Sequence, residues 1–230
     1  MPHILTPKLR SQVIATSRRL HAMGWVANHD GNVSVRLPGN RLLITATALS
    51  KADIDDAALL VVDMAGRVLE GRRKPFSELD LHLAAYAARQ SVDVVVHAHP
   101  PYATAAALAG CTLDCAVMPE VVVSLGAGIP TAPFFMPKTP EGTTVVGGLA
   151  KGHDAMLLTG NGALTLGPDL TTAYLRMELV EHFAKILHLA RQMGPVRTLA
   201  PEQVNKLLEA RRKAGLEPAQ QEEAAKKKSA

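Results

Sequence analysis

Two histidines one residue apart, His97 and His99, close the apolar run "VDVVVHAHPP". Val92, Val94, Val95 and Val96 read as a buried strand, and strand residues two apart share a face, so the two imidazoles project side by side in a chelating arrangement. Pro100 and Pro101 cannot continue a central strand, which puts the pair at its mouth. The same spacing also fits two polar groups hydrogen-bonded to backbone at a strand end, because a His-x-His pair needs a third ligand to define a metal site. Upstream, "GRRKPFSELDLH" places Glu78 at the start of a helix and His82 one turn on, on the same face. A carboxylate at a helix N-terminus is held as an anion by the dipole, which suits an acid or base beside a metal; the plainer reading is an ordinary first-turn glutamate. His82 reads as a core or supporting histidine and not as a ligand. "NHDGNVSVR" has the Asn- and Gly-containing character of a loop that turns amides toward an anion, with Asn32 and Ser34 as side-chain donors.

These residues must be positioned by the surrounding elements. Thr6-Pro7 caps and opens a helix that runs to Gly24. "NVSVRL" and "RLLITAT" form one predicted hairpin, and "ALLVVD" and "RVLEG" a second. Ser77 is placed to cap a helix from about Glu78 to Gln90. The His strand follows, then an Ala-rich helix, a helix from Thr139-Pro140 toward Leu149, strands "DAMLLTG" and "ALTLG", a long helix from Asp169 to Met193, and a last amphipathic helix over 201–214. Helix and sheet alternate without a strict βαβ repeat, and "GNGALTLG" precedes a strand, so a dinucleotide-binding turn is excluded.

The chain of 230 residues is 47% hydrophobic, long enough for one buried core, and no stretch reads as a membrane span or an export leader. A cytoplasmic protein with reduced thiols at Cys111 and Cys115 is the expectation. The net charge of +4 comes largely from "ARRKAG" and "AAKKKSA" near the end, and aromatics are only 3%, which argues against nucleic acid as a partner.

The order of "GNVSVR", "LLITATALSK", "KPFSELDLH", "VVVHAHPPYATA", "GIPTAPF", "PEG" and "LLTGNGALTLGPDL" resembles the class II aldolase and adducin family from about residue 7 to 215. That resemblance implies a three-layer α/β/α fold around a mainly antiparallel sheet over 1–215; the polar composition of "EPAQQEEAAKKKSA" separately predicts a disordered tail over 216–230. The resemblance implies a divalent metal, most often Zn2+ with Mn2+, Fe2+ or Co2+ as alternatives, bound by His97 and His99. Glu78 becomes the acid/base; Asn32, Thr47 and Ser77 match positions that line the substrate or phosphate pocket. A small-molecule substrate and a homotetramer with active sites between subunits are also implied. The chain departs from the pattern in four places. Asn161 stands where the third histidine ligand precedes a glycine, Phe76 where the first serine stands, and Ala48 where a glycine stands; the family's C-terminal tyrosine has no counterpart near "RRKAGLE". An amide oxygen at Asn161 gives a weaker third ligand or one suited to a harder metal, and Glu120 is a possible substitute. The chemistry implied is carbon–carbon cleavage through a metal-stabilised enediolate, retro-aldol on a hydroxy-carbonyl or sugar-phosphate-like substrate, with decarboxylation of a hydroxy-carboxylate or a non-enzymatic adducin-like role as alternatives.

Overall fold

The computed structural model describes residues 3–218. The tail expected from residue 216 falls, from 219 onward, outside the described residues. Thr6 does cap α1 (Pro7–Ala22), its Oγ1 accepting from Leu9 N at 3.1 Å. The two hairpins are β1 (Asn32–Leu37) with β2 (Arg41–Thr45) and β3 (Leu59–Asp63) with β4 (Val68–Glu70). Then come α2 (Leu79–Ala88), β5 (Val94–Ala98), α3 (Pro101–Leu108), α4 (Pro119–Leu125), β6 (Thr131–Ala132) and α5 (Pro140–Ala150). β7 (Ala155–Leu158), β8 (Ala163–Gly167), α6 (Leu170–Met193) and α7 (Pro201–Lys213) follow among the described residues. Ser77 does not cap α2: the capping position is Glu78, whose side chain makes no capping bond, so its carboxylate stays available for other partners.

All strands join one sheet in the order β4-β3-β2-β1-β5-β8-β7-β6, antiparallel except for the short β6–β7 pair. Alternation along the strands builds two cores. On one face Val33, Val35, Val94, Val96 and Leu157 pack beneath α1, α3 and α6; on the other Leu42, Ile44, Val95, Met156 and Leu166 pack beneath α2 and α5. Each such side chain contributes about 1.5–3 kcal/mol relative to an exposed one, which fixes the register of the central strands. His97 shares the parity of Val95, so it faces the α2 side.

Candidate active site

β5 is hydrogen-bonded on both flanks, with His97 opposite Asn32 of β1 and Leu164 of β8. Ala163 O lies 3.0 Å from His97 Nδ1, and a carbonyl only accepts, so Nδ1 carries the proton and Nε2 a free lone pair. That Nε2 stands 3.2 Å from His99 Nε2, the rings being inclined at 75°. His99 is fixed through its backbone, which donates to Trp25 O at 2.8 Å, while its Nδ1 looks toward Asp30 Oδ2 at 3.6 Å. Burial, with the neighbouring His99, pushes the His97 pKa down to about 4, against the pull of Glu78 and Asp30. At neutral pH it is an uncharged imidazole, the ligand form.

Glu78 receives Asn32 Nδ2 at 3.2 Å, which joins the loop-side amide to the carboxylate at the head of α2. Two residues along β1, Ser34 Oγ lies 2.7 Å from both His82 Nδ1 and Tyr86 Oη. Glu78, His82 and Tyr86 are one turn apart on α2, so the helix lays a polar stripe over β1. Tyr86, Ser34 and His82 thus form one buried hydrogen-bonded chain beneath the helix. Burial drives the His82 pKa well below the usual histidine range, with His97 adding to the effect. His82 Nε2 and Asn32 Oδ1 are buried without a hydrogen-bond partner among the described residues. Phe76, which replaces the expected serine, packs its ring edge-on against His82 with centroids 4.9 Å apart.

Thr47 and Ser77 lie on neighbouring segments: Ala46 bridges Pro75, and Thr47 N donates to Lys74 O at 3.0 Å. Ser77, Glu78 and Asn161 line one cleft, whose rim is formed by Phe134, Met136 and Lys138. Asn161 is turned there by its N–H bond to Leu158 O at 2.8 Å, and the next residue explains the motif: Gly162 has φ +70°, and a Cβ there would strike Ala98 O and the His99 ring. The β7–β8 turn therefore presses against the histidine pair. Ala48, by contrast, keeps a left-handed φ of +60° with a side chain that disfavours it. Glu120 lies on α4 in a groove with α6, apart from the cleft that holds Glu78.

Sequence reasoning passed over two members of this site. Lys51 is 2% exposed, its Nζ donating to His29 O at 3.2 Å and Leu49 O at 2.9 Å; burial lowers its pKa, opposed by Asp30 and Glu78. A buried lysine beside a carboxylate marks functional ground, but its type reads as surface in a sequence. Tyr86 was hidden in an Ala-rich helix, although its i+8 spacing from Glu78 was visible.

The residues fit a divalent metal in part. His97 offers an Nε2 lone pair, its tautomer fixed by the Ala163 carbonyl as in metal-binding histidines, and the His99 ring stands beside it. No group of three or more His, Cys, Asp or Glu stands at metal-holding geometry among the described residues. This agrees with an asparagine in the third histidine's place.

Residues 11–188 match the family described as Class II Aldolase and Adducin N-terminal domain. The chain belongs to that family. It is 31% identical over 185 residues to an L-fuculose phosphate aldolase of Methanococcus maripaludis, covering 80% of this chain and 98% of the relative. It is 32% identical over 199 residues to a 3-oxo-tetronate 4-phosphate decarboxylase of Haemophilus influenzae, covering 85% and 93%. Its backbone superposes on a solved L-fuculose 1-phosphate aldolase with a TM-score of 0.83 at 28% identity, covering 90% of this chain and 97% of that one. These relatives are named as aldolases and a decarboxylase, and no helix among the described residues is long and apolar enough to cross a membrane.

Proposed function

We propose that the protein is a metal-dependent carbon–carbon lyase cleaving a small hydroxy-carbonyl substrate by retro-aldol chemistry. The observation that carries the reading is the 3.2 Å approach of the His97 and His99 Nε2 atoms beside the Asn32–Glu78 bond. His97 and His99, with Asn161 as third ligand, would hold a divalent ion, most often Zn2+. Such an ion supplies a Lewis acid that takes up negative charge as the carbon–carbon bond breaks.

The chain's own groups do the rest. As the bond breaks, the hydroxyl of the fragment leaving as an aldehyde gives up its proton, the electron pair passes to the carbonyl-bearing fragment, and Glu78 carries the proton to that fragment. Asn32 Nδ2 orients that carboxylate. Asn32 Oδ1 and His82 Nε2, both buried and unpartnered among the described residues, would meet the bound substrate, Asn32 Oδ1 accepting from one of its hydroxyls. Thr47 and Ser77 line its anionic end, where Ala48 and Phe76 reshape a pocket that ordinarily takes phosphate. Decarboxylation is kept as a second reading because a decarboxylase is as similar to this chain as an aldolase is. The same reading makes the protein a cytoplasmic homotetramer with its sites between subunits.

Elemental analysis of wild type and of the His97→Ala, His99→Ala double variant tests the metal. Assays with a ketose 1-phosphate and with a 3-oxo acid phosphate separate the two reactions. Metal in wild type alone, with turnover of one substrate class, is the expected outcome. Equal metal in both proteins overturns the site, and metal binding with neither turnover leaves the adducin-like interaction role.

A further inference from the structure

At the opposite end of the β7–β8 pair from the Asn161 turn, three guanidinium groups meet one carboxylate. Asp154 lies just before β7, and its Oδ1 receives Arg89 Nη2 at 2.6 Å. Its Oδ2 receives Arg211 Nη2 at 2.6 Å and faces Arg176 Nη2 at 3.0 Å. Asp154 O accepts from Leu166 N at 2.8 Å, two residues along β8 from Leu164, the partner of His97, and one strand further out. All four side chains are at most 11% exposed. Their formal charge is +2, in a place where an unmatched charge is strongly disfavoured.

The remaining hydrogen bonds do not remove the excess. Arg176 Nη1 donates to Leu166 O at 2.6 Å and Arg211 Nη1 to Val123 O at 3.0 Å, but carbonyls carry no countercharge. Arg89 is less well served: its Nε and Nη1 are buried with no hydrogen-bond partner among the described residues. The nearby carboxylates have other duties. Asp169 caps α6 by accepting from Thr172 N at 2.7 Å and Thr172 Oγ1 at 3.0 Å, and Asp93 faces Arg36 at 3.5 Å. Asp169 does act on Arg176 at longer range, which lessens the imbalance without reaching the bare donors of Arg89. Access exists, because Arg176 also lines the groove between α4 and α6 that opens to solvent beside Leu216.

We propose that Arg89, Arg176 and Arg211 form a binding site for a small inorganic anion of chloride's class. The anion would accept from Arg89 Nε and Nη1 and cancel part of the excess charge. Arg211 is the buried residue of α7, an amphipathic helix whose Val204, Leu207 and Leu208 are only half-buried, so an occupied site fastens that helix to the sheet. The site stands apart from the lyase chemistry and does not depend on it.

The test is thermal unfolding of the full chain at fixed ionic strength, with sodium chloride or bromide exchanged against sodium gluconate, whose anion is too large for the cluster. The midpoint should rise and then level off with halide, by roughly 5–10 °C at a hundredfold excess over the dissociation constant. Arg89→Gln should abolish the dependence. Crystals grown in bromide should show an anomalous peak against the Arg89 guanidinium, and this decides the matter if the variant does not fold. A midpoint indifferent to the identity of the anion, an unchanged response in Arg89→Gln, or no bromide peak overturns the proposal.

Discussion

The turn between β7 and β8 holds two glycines of nearly equal φ, +76° at Gly160 and +70° at Gly162, and replacing each by alanine separates backbone strain from crowding. At Gly160 the added methyl meets only the Phe134 ring at 3.5 Å, an ordinary contact, so the cost is the left-handed conformation alone, about 1 kcal/mol. At Gly162 the same methyl overlaps Ala98 O and comes within 2.9 Å of His99 Cα, backbone on a strand that cannot yield without parting from β8. Parting them loosens the Ala98–Ala163 rung and the Leu158 N–H bond to Gly162 O of 2.8 Å, each worth about 1 kcal/mol. Gly162→Ala should therefore cost about 3 kcal/mol and lower the unfolding midpoint by roughly 6–12 °C, against roughly 2–4 °C for Gly160→Ala. Differential scanning calorimetry of the two variants beside wild type reads the difference. Equal shifts would refute the reasoning, since the turn would then not press on the histidine strand.

Three further outcomes follow from the site. Glu78→Gln keeps the size and the bond from Asn32 but abolishes proton transfer, so turnover should fall by roughly two to four orders of magnitude while metal content, measured by elemental analysis, is unchanged. Asn161→His should tighten metal binding by about tenfold or more at neutral pH in a competing-chelator titration, since even outer-sphere partners of a ligand are worth that much; an unchanged affinity removes Asn161 from the metal. Ala48→Gly relieves the +60° φ and should stabilise the chain by about 0.5–1 kcal/mol in urea denaturation, with a loss of stability counting against strain there.

The parts of the fold legible in the sequence were those with a long period or a sharp boundary. Thr6-Pro7, Asp169 and the turns Pro38-Gly39 and Ala65-Gly66 mark ends that local chemistry dictates, and the elements between them lie where patterning puts them. α4 was missed because "PEVVVSL" is short and β-branched, with no second turn to reveal a helical period, and β6 because two residues carry no alternation. In the site, His97, His99, Glu78 and Asn32 were legible through type and spacing. Ser77 was misread as a cap, since its sequence cannot show that Glu78 occupies that place. Lys51 and the arginines around Asp154 come together only in the folded sheet, from segments that carry no shared motif.

The placement of β5 between β1 and β8 has a consequence for how the protein acquires its chemistry. The bond from Asn32 to Glu78 closes a loop of 46 residues, and that from His97 to Ala163 one of 66. Neither can form by local collapse, because the closure entropy must be met before the contact rewards it. The reactive groups therefore come into register only when the whole sheet has assembled, and no hairpin or fragment made early in synthesis carries a working subset. Conditions that slow sheet assembly should delay the appearance of activity well behind the appearance of helical structure.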